Sequence, residues 1–472
     1  MRSYFIAAGA AVLGLAPTDV RAQLLAPAEG TDSVVGAVLQ TGLFGLGDID
    51  PSSLVVTDDE LLSAGQSPMP AMSSLDSVDI VVDDDRVQCP DAQFTSIQGA
   101  VAAALPGSTI RVCPGDYREN VIVPKLLTLQ AVRHQGEATQ CQTPEVPDPT
   151  QQAILSYPTP GHVPDIGFDL EADGIVLDGF FIRPLTGQVP TPPFNPETAG
   201  IFTSRDHSGY QILDNVMQDN TKGLYLNSSG AQATLVKHNC FRNNNRPGAA
   251  SGNGVYSDQG LANASIDDNF FTLDQNAAIV VDTFLTPPAN LTITHNNSVD
   301  DSSIALFHVK DSVVSYNHSQ GSNGSAIFVG GDTSNLEISH NLLENGSANG
   351  ISIHDDVSGP PIGPNVNLLV TKNNTRGFGS NGIRLQGDAA GNNDNVNFNR
   401  SRGNAVDGIR AVGLMPDGET SAGFRIEKNE MSSNGEHDCH DGSATPPANT
   451  WLNDKGFTEN QPGLCKHAAV TP

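Results

Sequence analysis

A short motif recurs along residues 200–438 and constrains the fold more than any other feature of the chain. Nine times a β-branched apolar residue is followed, three positions later, by Asn, and successive Asn residues lie 21 to 32 positions apart. The pairs are Ile212/Asn215, Val236/Asn239, Ile266/Asn269, Ile293/Asn296, Val314/Asn317, Ile338/Asn341, Val370/Asn373, Val396/Asn399 and Ile426/Asn429. A repeat of this length is typical of solenoids, in which each unit buries its apolar face only against its neighbours.

The repeat unit has the pattern of β-strands. Small residues open short runs such as Ala326-Ile-Phe-Val and Gly350-Ile-Ser-Ile, and Gly, Asn, Asp and Ser cluster between these runs. A helical repeat needs apolar spacings of three and four residues, which these units lack. We therefore predict an all-β solenoid with two or three short strands per turn, coiled into parallel ladders.

The sequence resembles the right-handed parallel β-helix proteins of the pectin-lyase-like superfamily, in particular the repeat module shared by carbohydrate-binding proteins and sugar hydrolases. The Asn of each unit is similar to that family's internal ladder of stacked amides, which satisfies buried backbone groups. The resemblance covers most of residues 78–465 and implies a single-stranded right-handed parallel β-helix. It also implies a short N-terminal capping helix, for which residues 94–104 have helical spacing and Thr95 or Ser96 is the N-cap.

The two ends of the chain differ from the repeats. Residues 1–22 combine a basic start, an apolar run and a small-residue site at Val20-Arg-Ala22, which is the pattern of a secretory signal peptide. Residues 23–77 show no period and are interpreted as a leader of low order. We predict the β-helix with its N-terminal cap over residues 78–438 and a C-terminal cap over residues 439–472, where Trp451 covers the last coil. No later stretch is apolar enough to span a membrane, so we expect a secreted or periplasmic monomer.

Export permits disulfide bonds among the six Cys residues. Sequence position favours either Cys89–Cys113 or Cys113–Cys141 near the N-terminal end, and Cys439–Cys465 at the other end. Cys240 lies inside the repeats and is interpreted as a free, buried thiol. Cys439-His440 lacks a second pair of metal ligands, so it is interpreted as structural and not as part of a zinc site.

The chain is strongly acidic. It has 24 Lys and Arg residues against 53 Asp and Glu residues, a formal net charge of -29. Such a surface repels phosphate backbones and excludes nucleic acid as a partner. The acidity either keeps an exported protein in solution or forms a surface for divalent cations.

Side-chain alternation assigns the residues of each coil to the inside or the outside. One outward column reads Phe202, Tyr225, Tyr256, Val280, Ala305, Phe328, Ser352, Arg384 and Arg410. A second reads Ser204, Asn227, Asp258, Asp282, Phe307, Gly330, His354 and Gln386. Stacked coils lie roughly 4.8 Å apart, so we expect neighbours in a column to be in contact.

Phe202, Tyr225 and Tyr256 are predicted to form an aromatic stripe that faces solvent. Aromatic faces stack on sugar rings, and an extended stripe suits a polymer, so we assign these residues to substrate binding. In the alternative, loops cover the rings as a secondary core, because exposed aromatic patches usually have a partner or a cover.

Asp258 and Asp282 are predicted to be stacked carboxylates on adjacent coils. Such a pair suits a shared Ca²⁺ ion or the two carboxylates of a retaining glycosidase, so we assign both residues as catalytic and metal-binding. The alternative is two solvated Asp side chains that point apart.

His354 and Arg384 complete the predicted catalytic residues, and Asp355 and Asp356, which follow His354, are assigned to substrate binding. The resemblance to β-helix lyases implies that an Arg or Lys removes the proton beside a uronate carboxylate, while a cation stabilises the anion. The alternative is a set of scattered surface charges.

The catalytic signatures of the enzyme families are absent from the sequence. It contains neither the Gly-His-Gly and Arg-Ile-Lys of the polygalacturonase group nor the Asp-Pro-His of alginate epimerases. We therefore expect an exported protein that binds an extracellular polysaccharide and processes it as a lyase, hydrolase or epimerase. The alternative is a non-catalytic surface, adhesion or structural protein, and whether the chain is an enzyme stays open.

Overall fold

The computed structural model describes residues 80–132, 141, 146–158, 165–188, 194–282, 286–301, 303–354, 364–387, 393–413, 421–443 and 448–467. The predicted signal peptide and leader lie outside the described residues, as do Asp355 and Asp356. Within the described part, no helix is both long enough and apolar enough to cross a bilayer.

The described strands form three sheets in which every pairing is parallel. Sheet A has fourteen strands within these residues: Ile80–Val82, Thr109–Val112, Thr128–Ala131, Val176–Asp178, Gln211–Leu213, Thr234–Lys237, Ala262–Asp267, Ala289–Thr294, Lys310–Ser315, Ser334–Ser339, Leu369–Thr371, Asn395–Asn397, Arg425–Glu427 and Thr450–Leu452. Sheet B also has fourteen: Gly115–Tyr117, Ala153–Tyr157, Phe181–Pro184, Val216–Gln218, Cys240–Arg242, Phe270–Thr272, Asn297–Val299, His318–Gln320, Leu342–Glu344, Asn374–Arg376, Arg400–Arg402, Glu430–Ser432, Asp454–Lys455 and Cys465–Lys466.

Sheet C has twelve strands within the described ranges: Val121–Val123, Ile166–Leu170, Ala199–Thr203, Lys222–Tyr225, Asn253–Ser257, Ala277–Val281, Ser303–Leu306, Ile327–Val329, Ile351–His354, Ile383–Gln386, Ile409–Ala411 and Cys439–Asp441. Along the chain, each full coil contributes one strand to sheet A, then one to sheet B and then one to sheet C. Inward residues such as Leu224, Val255 and Ile279 stack in register and are fully buried. The prediction of an all-β, single-stranded right-handed parallel β-helix is confirmed.

A ladder of buried amides runs along the turn between sheets A and B. The Nδ2 atom of each predicted Asn from Asn215 to Asn399 donates to Oδ1 of the next Asn, and Asn429 donates to Asp454, at 2.8 to 3.2 Å. The residue before each ladder Asn has a positive φ, including His295 at 55° and His340 at 57°. The Asn therefore satisfies the backbone of a tight turn, as the resemblance implied.

The helix Ile97–Ala103 closes the N-terminal end of the coil. Its N-cap is Ser96, whose hydroxyl accepts a hydrogen bond from the Gly99 N–H group, and Glu119 accepts from the N–H groups of Ile97 and Gln98. Ile97, Ala100 and Val101 are buried against the first coils. The helix thus covers a core that would otherwise be exposed to water, and the predicted N-terminal capping helix is confirmed.

Three disulfides are present, and one differs from the sequence prediction. Cys439–Cys465 forms as the sequence favoured, and of the two alternatives near the N-terminal end, Cys89–Cys113 forms and Cys113–Cys141 does not. The interpretation of Cys240 as a free thiol was wrong, because Cys240 is bonded to Cys141. Cys240 points out of sheet B and packs there in a small apolar cluster with Cys141, Ile154 and Phe181. A loop 99 residues earlier in the chain supplies its partner, which no local pattern could show.

Trp451 lies on sheet A at the C-terminal end of the coil. It pairs in register with Ile426, is partly buried against the core, and donates from Nε1 to Asp441 Oδ2 at 2.7 Å. The strands continue beyond it to Cys465–Lys466. The division of the chain at residue 438 stays a prediction.

Candidate functional site

The first outward column of sheet C has the predicted register. Tyr225 pairs with Phe202 and Tyr256, and Arg410 pairs with Arg384 and His440. The column therefore places an aromatic end (Phe202, Tyr225 and Tyr256) and a basic end (Arg384, Arg410 and His440) on one face of one sheet. The two ends have different surroundings.

The aromatic end is covered. Tyr225 is 2% exposed and Tyr256 is 4% exposed, and both belong to an apolar cluster with Ala199, Ala250 and Val280. Phe202 is half-buried, and its ring contacts that of Tyr225 edge-on at 5.1 Å between centroids. The expected solvent-facing stripe is thus wrong for both tyrosines, and the alternative of a secondary core is right.

Lys222 forms hydrogen bonds with two loops that cover the aromatic end. Its side chain is fully buried, and Nζ donates to the carbonyl oxygens of Pro196 at 2.6 Å and Ala249 at 3.1 Å. Nζ also lies 4.8 Å from the centroid of the Tyr225 ring. Burial lowers the pKa of Lys222 to about 7, while the charge of Asp258 acts to raise it. The loops at residues 194–198 and 243–252 are therefore held over the rings by a buried amine.

Asp258 and Asp282 have separate partners. The Asp258 carboxylate accepts hydrogen bonds from the hydroxyl groups of Tyr225 and of Tyr256, the latter at 2.9 Å. Burial, and then the Asp258 charge, raises the pKa of both tyrosines. Asp282 Oδ1 lies 3.1 Å from Nδ1 of the buried His308. Asp258 thus anchors the aromatic end, and a Ca²⁺ ion shared with Asp282 stays a prediction.

The basic end is less covered. The Arg384 and Arg410 side chains are both half-buried and lie on adjacent coils. Arg384 donates from Nη2 to the neutral amide oxygen of Gln386, and Arg410 donates from Nη1 to Asp407 Oδ2 at 3.0 Å. Arg384 and Arg410 thus place two guanidinium groups on this face of an acidic protein, from paired positions on adjacent coils.

His354 lies beside the basic end. It ends the strand Ile351–His354, pairs in register with Gln386, and its ring centroid is 6.1 Å from that of Phe328. Asp282 lies three coils earlier, a separation of roughly 14 Å at the coil spacing. The structure therefore places His354 on the coil adjacent to that of Arg384, two positions further along the strand, and it places Asp258 and Asp282 on more distant coils.

The sequence indicated no role for Asp407 and His437, and His440, beside Cys439, was interpreted as structural. In the structure these three residues form a cluster, which we name the Asp-His cluster. The Asp407 side chain is fully buried, with Oδ1 at 3.3 Å from His437 Nδ1 and Oδ2 at 3.2 Å from His440 Nδ1. Burial opposes the charge of Asp407, but the His440 imidazole and the Arg410 guanidinium hold its pKa below the ordinary value. The only signal in the sequence was that His440 continues the outward column after Arg410.

Comparison with known proteins finds no family and only distantly similar solved structures. No protein-family model matches the chain, and no curated protein matches its sequence. Among solved structures, the periplasmic alginate epimerase AlgG is 12% identical over 73% of this chain and 76% of its own, with a TM-score of 0.46. The Dettilon tailspike protein gp208 is 12% identical over 74% and 62%, with a TM-score of 0.43. DFA-IIIase from Arthrobacter chlorophenolicus A6 is 14% identical over 78% and 80%, with a TM-score of 0.33. These similarities concern the course of the backbone alone.

Proposed function

We propose that this chain is an exported protein that binds an acidic polysaccharide at the basic end of sheet C and acts on its uronate residues there. One observation carries the proposal: Arg384 and Arg410 stack in register on adjacent coils of a chain whose net charge is -29. A polyanion is repelled by most of such a surface, so a cationic patch decides where it binds.

The guanidinium groups suit carboxylates in geometry as well as in charge. A guanidinium fork can bind a carboxylate through two parallel hydrogen bonds, which fixes the orientation of the bound group. Arg410 is itself oriented by the buried Asp407 carboxylate, so it is held in place before a ligand arrives. Because coils repeat at roughly 4.8 Å, the two arginines present an extended surface to a polymer.

The same arrangement supports proton-transfer chemistry. Removal of the proton beside a uronate carboxylate creates an anion, which Arg384 would stabilise through the carboxylate. His354, on the adjacent coil, would be the base. Return of a proton from water to the other face of the sugar would give epimerisation. Cleavage of the C4–O bond, with the departing oxygen protonated by water, would give β-elimination. Neither reaction needs the paired carboxylates of a hydrolase.

A panel of polymers tests the proposal. Purified mature protein is incubated with pectate, alginate, hyaluronan, chondroitin and a neutral glucan, with and without Ca²⁺. Ultraviolet absorbance of unsaturated uronate, new reducing ends and retention in an affinity gel are recorded together. Absorbance with reducing ends indicates a lyase, and a changed uronate composition by NMR without cleavage indicates an epimerase. Retention alone supports the non-catalytic binding protein, and equal retention of the neutral glucan contradicts a site for acidic polymers.

Substitutions separate binding from chemistry. Arg384→Gln and Arg410→Gln should each weaken retention of the acidic polymer roughly 10-fold, as expected for loss of one charged contact. His354→Gln should abolish turnover while retention stays. Arg402→Gln is the matched control, because Arg402 is an exposed arginine of the adjacent sheet B. Equal losses from Arg402→Gln and Arg384→Gln would show general charge attraction and remove the case for this site.

A further inference from the structure

The Asp-His cluster gathers three potential metal ligands from two coils. Asp407 precedes the strand Ile409–Ala411, and His437 and His440 come from the next coil, at the strand Cys439–Asp441. One potential ligand atom from each of the three residues lies within 4.8 Å of those of the other two. His437 Nδ1 lies 3.3 Å from Asp407 Oδ1, and His440 Nδ1 lies 3.2 Å from Asp407 Oδ2. Such spacings are expected between ligand atoms that each lie about 2.0 to 2.2 Å from a shared ion.

The two histidine nitrogens lie within ion-pair distance of the Asp407 carboxylate but do not form a hydrogen bond of good geometry. Nδ1 of His437 and Nδ1 of His440 are both buried, and neither meets hydrogen-bond geometry with the carboxylate they approach. A buried polar atom left without a partner costs about 1 to 3 kcal/mol. One ion at the centre of the cluster would satisfy both nitrogens and the Asp407 carboxylate together.

The carboxylate is already held by other groups. Asp407 Oδ1 accepts a hydrogen bond from the His437 backbone N–H group at 3.0 Å, and Oδ2 accepts from Arg410 Nη1 at 3.0 Å. Carboxylates that bind metals are commonly oriented by such outer hydrogen bonds. The Arg410 charge opposes a nearby cation, but the carboxylate lies between the two positive charges and attracts both.

We propose that Asp407, His437 and His440 bind one divalent transition-metal ion, with Zn²⁺ the best match. Two imidazoles and one carboxylate suit zinc and its neighbours, whereas Ca²⁺ and Mg²⁺ prefer oxygen ligands alone. Three protein ligands leave a fourth position for water or for an oxygen of a ligand at the basic end. All six cysteines form disulfides, so thiolates of this chain do not compete for the metal.

Within the described residues, a second group of three potential metal ligands is formed by Asp83, Asp84 and Asp85. The hydrogen bonds of this group differ from those of the Asp-His cluster. The three Asp carboxylates accept hydrogen bonds from backbone N–H groups, among them those of Cys89, Asp116 and Val87. These side chains therefore organise a turn. The orphaned nitrogens at His437 and His440 have no counterpart there.

Metal analysis of the mature, untagged protein tests the inference. The protein is loaded with Zn²⁺, dialysed, and its metal content is measured by mass spectrometry, with affinity taken from competition with a chromophoric chelator. We expect one zinc per chain and, on Co²⁺ substitution, visible ligand-field bands. His437→Gln and His440→Gln should each weaken zinc binding at least about 100-fold, beyond the roughly 10- to 100-fold typical of an outer-shell loss. His437→Asp, which retains an oxygen ligand, should bind with intermediate affinity.

His318→Gln is the matched control. His318 lies 3.1 Å from the Glu344 carboxylate without a second histidine, so its loss should leave zinc content unchanged. Absence of stoichiometric zinc from the loaded wild-type protein would overturn the inference. Unchanged affinity in His437→Gln, whose side chain is 31% exposed and tolerant of change, would overturn it as well. These readouts need no polysaccharide, so they stand or fall separately from the proposed function.

Discussion

The aromatic end and the basic end occupy the same column of the same sheet. The tyrosine rings of the aromatic end are nevertheless buried, whereas the arginines of the basic end are half-exposed. At the aromatic end, the loop at residues 243–252 precedes the strand Asn253–Ser257, which contains Tyr256. This loop lies over the aromatic rings and is held there by a hydrogen bond from Lys222. At the basic end, the shorter connections at residues 403–408 and 433–438 leave Arg384 and Arg410 half-exposed. The loops between sheets B and C therefore decide whether the residues of an outward column are buried or stay accessible to solvent.

The largest effect is expected from Tyr225→Ala. The Tyr225 ring is buried between Phe202 and Tyr256, at centroid distances of 5.1 and 5.4 Å. Its removal should lower the free energy of unfolding by about 3 to 5 kcal/mol, through lost burial and the cavity left behind. Denaturant unfolding followed by circular dichroism measures this loss. The control is Tyr316→Ala, since Tyr316 is 54% exposed, and there a loss below about 1 kcal/mol is expected.

A smaller loss is expected from Asp258→Ala. The change leaves the hydroxyl groups of Tyr225 and Tyr256 without the acceptor they share, which should cost about 2 to 3 kcal/mol. Asp258→Asn keeps one acceptor oxygen and should cost about half as much. Both variants are compared with wild type in the same denaturation assay. If the two variants lose nothing while calcium binding disappears, Asp258 is a metal ligand and the description of the aromatic end as core fails.

Lys222→Met should change how stability depends on pH. Because burial lowers the folded pKa of Lys222 to about 7 from an ordinary 10.5, the unfolded chain binds more protons between those values. The contribution of Lys222 to stability is therefore lowest below pH 7 and rises as pH increases towards 10. The difference in unfolding free energy between wild type and Lys222→Met should shift by about 3 kcal/mol between pH 7 and pH 9.5. A difference that is constant with pH would show that the amine is not desolvated.

The smallest effect on stability is expected at the basic end. Arg384 is half-exposed and donates to a neutral amide, so Arg384→Gln should change the free energy of unfolding by less than about 0.5 kcal/mol. The same variant should show its effect in polymer retention. A stability loss as large as that of Tyr225→Ala would mean that both ends are core, and the distinction between them would collapse.

Much of the fold was accessible from the sequence, since its signals are periodic and local. The Asn spacing predicted the ladder, and the residue-by-residue alternation predicted which side chains stack in the outward column from Phe202 to Arg410. The ladder even continues past the predicted set, because Asp454 takes the place of a tenth amide. Parallel pairing keeps equivalent positions in register from coil to coil, so a correct period fixes the column.

The candidate site was only partly accessible. His354 and Arg384 were found because they belong to the columns. Asp407 and His437 were missed because they lie in connections outside any column.

By itself, the sequence determined the coil, its register and whether each strand side chain points into or out of the coil, since these depend on spacing along the chain. Only the tertiary structure decided that Tyr225 and Tyr256 are buried, that Cys240 is bonded to Cys141, and that Asp407 meets two histidines. Each of these outcomes depends on where a connection of irregular length comes to lie against a distant coil. Such a contact is chosen by packing and hydrogen bonding in three dimensions, and no period in the sequence encodes it.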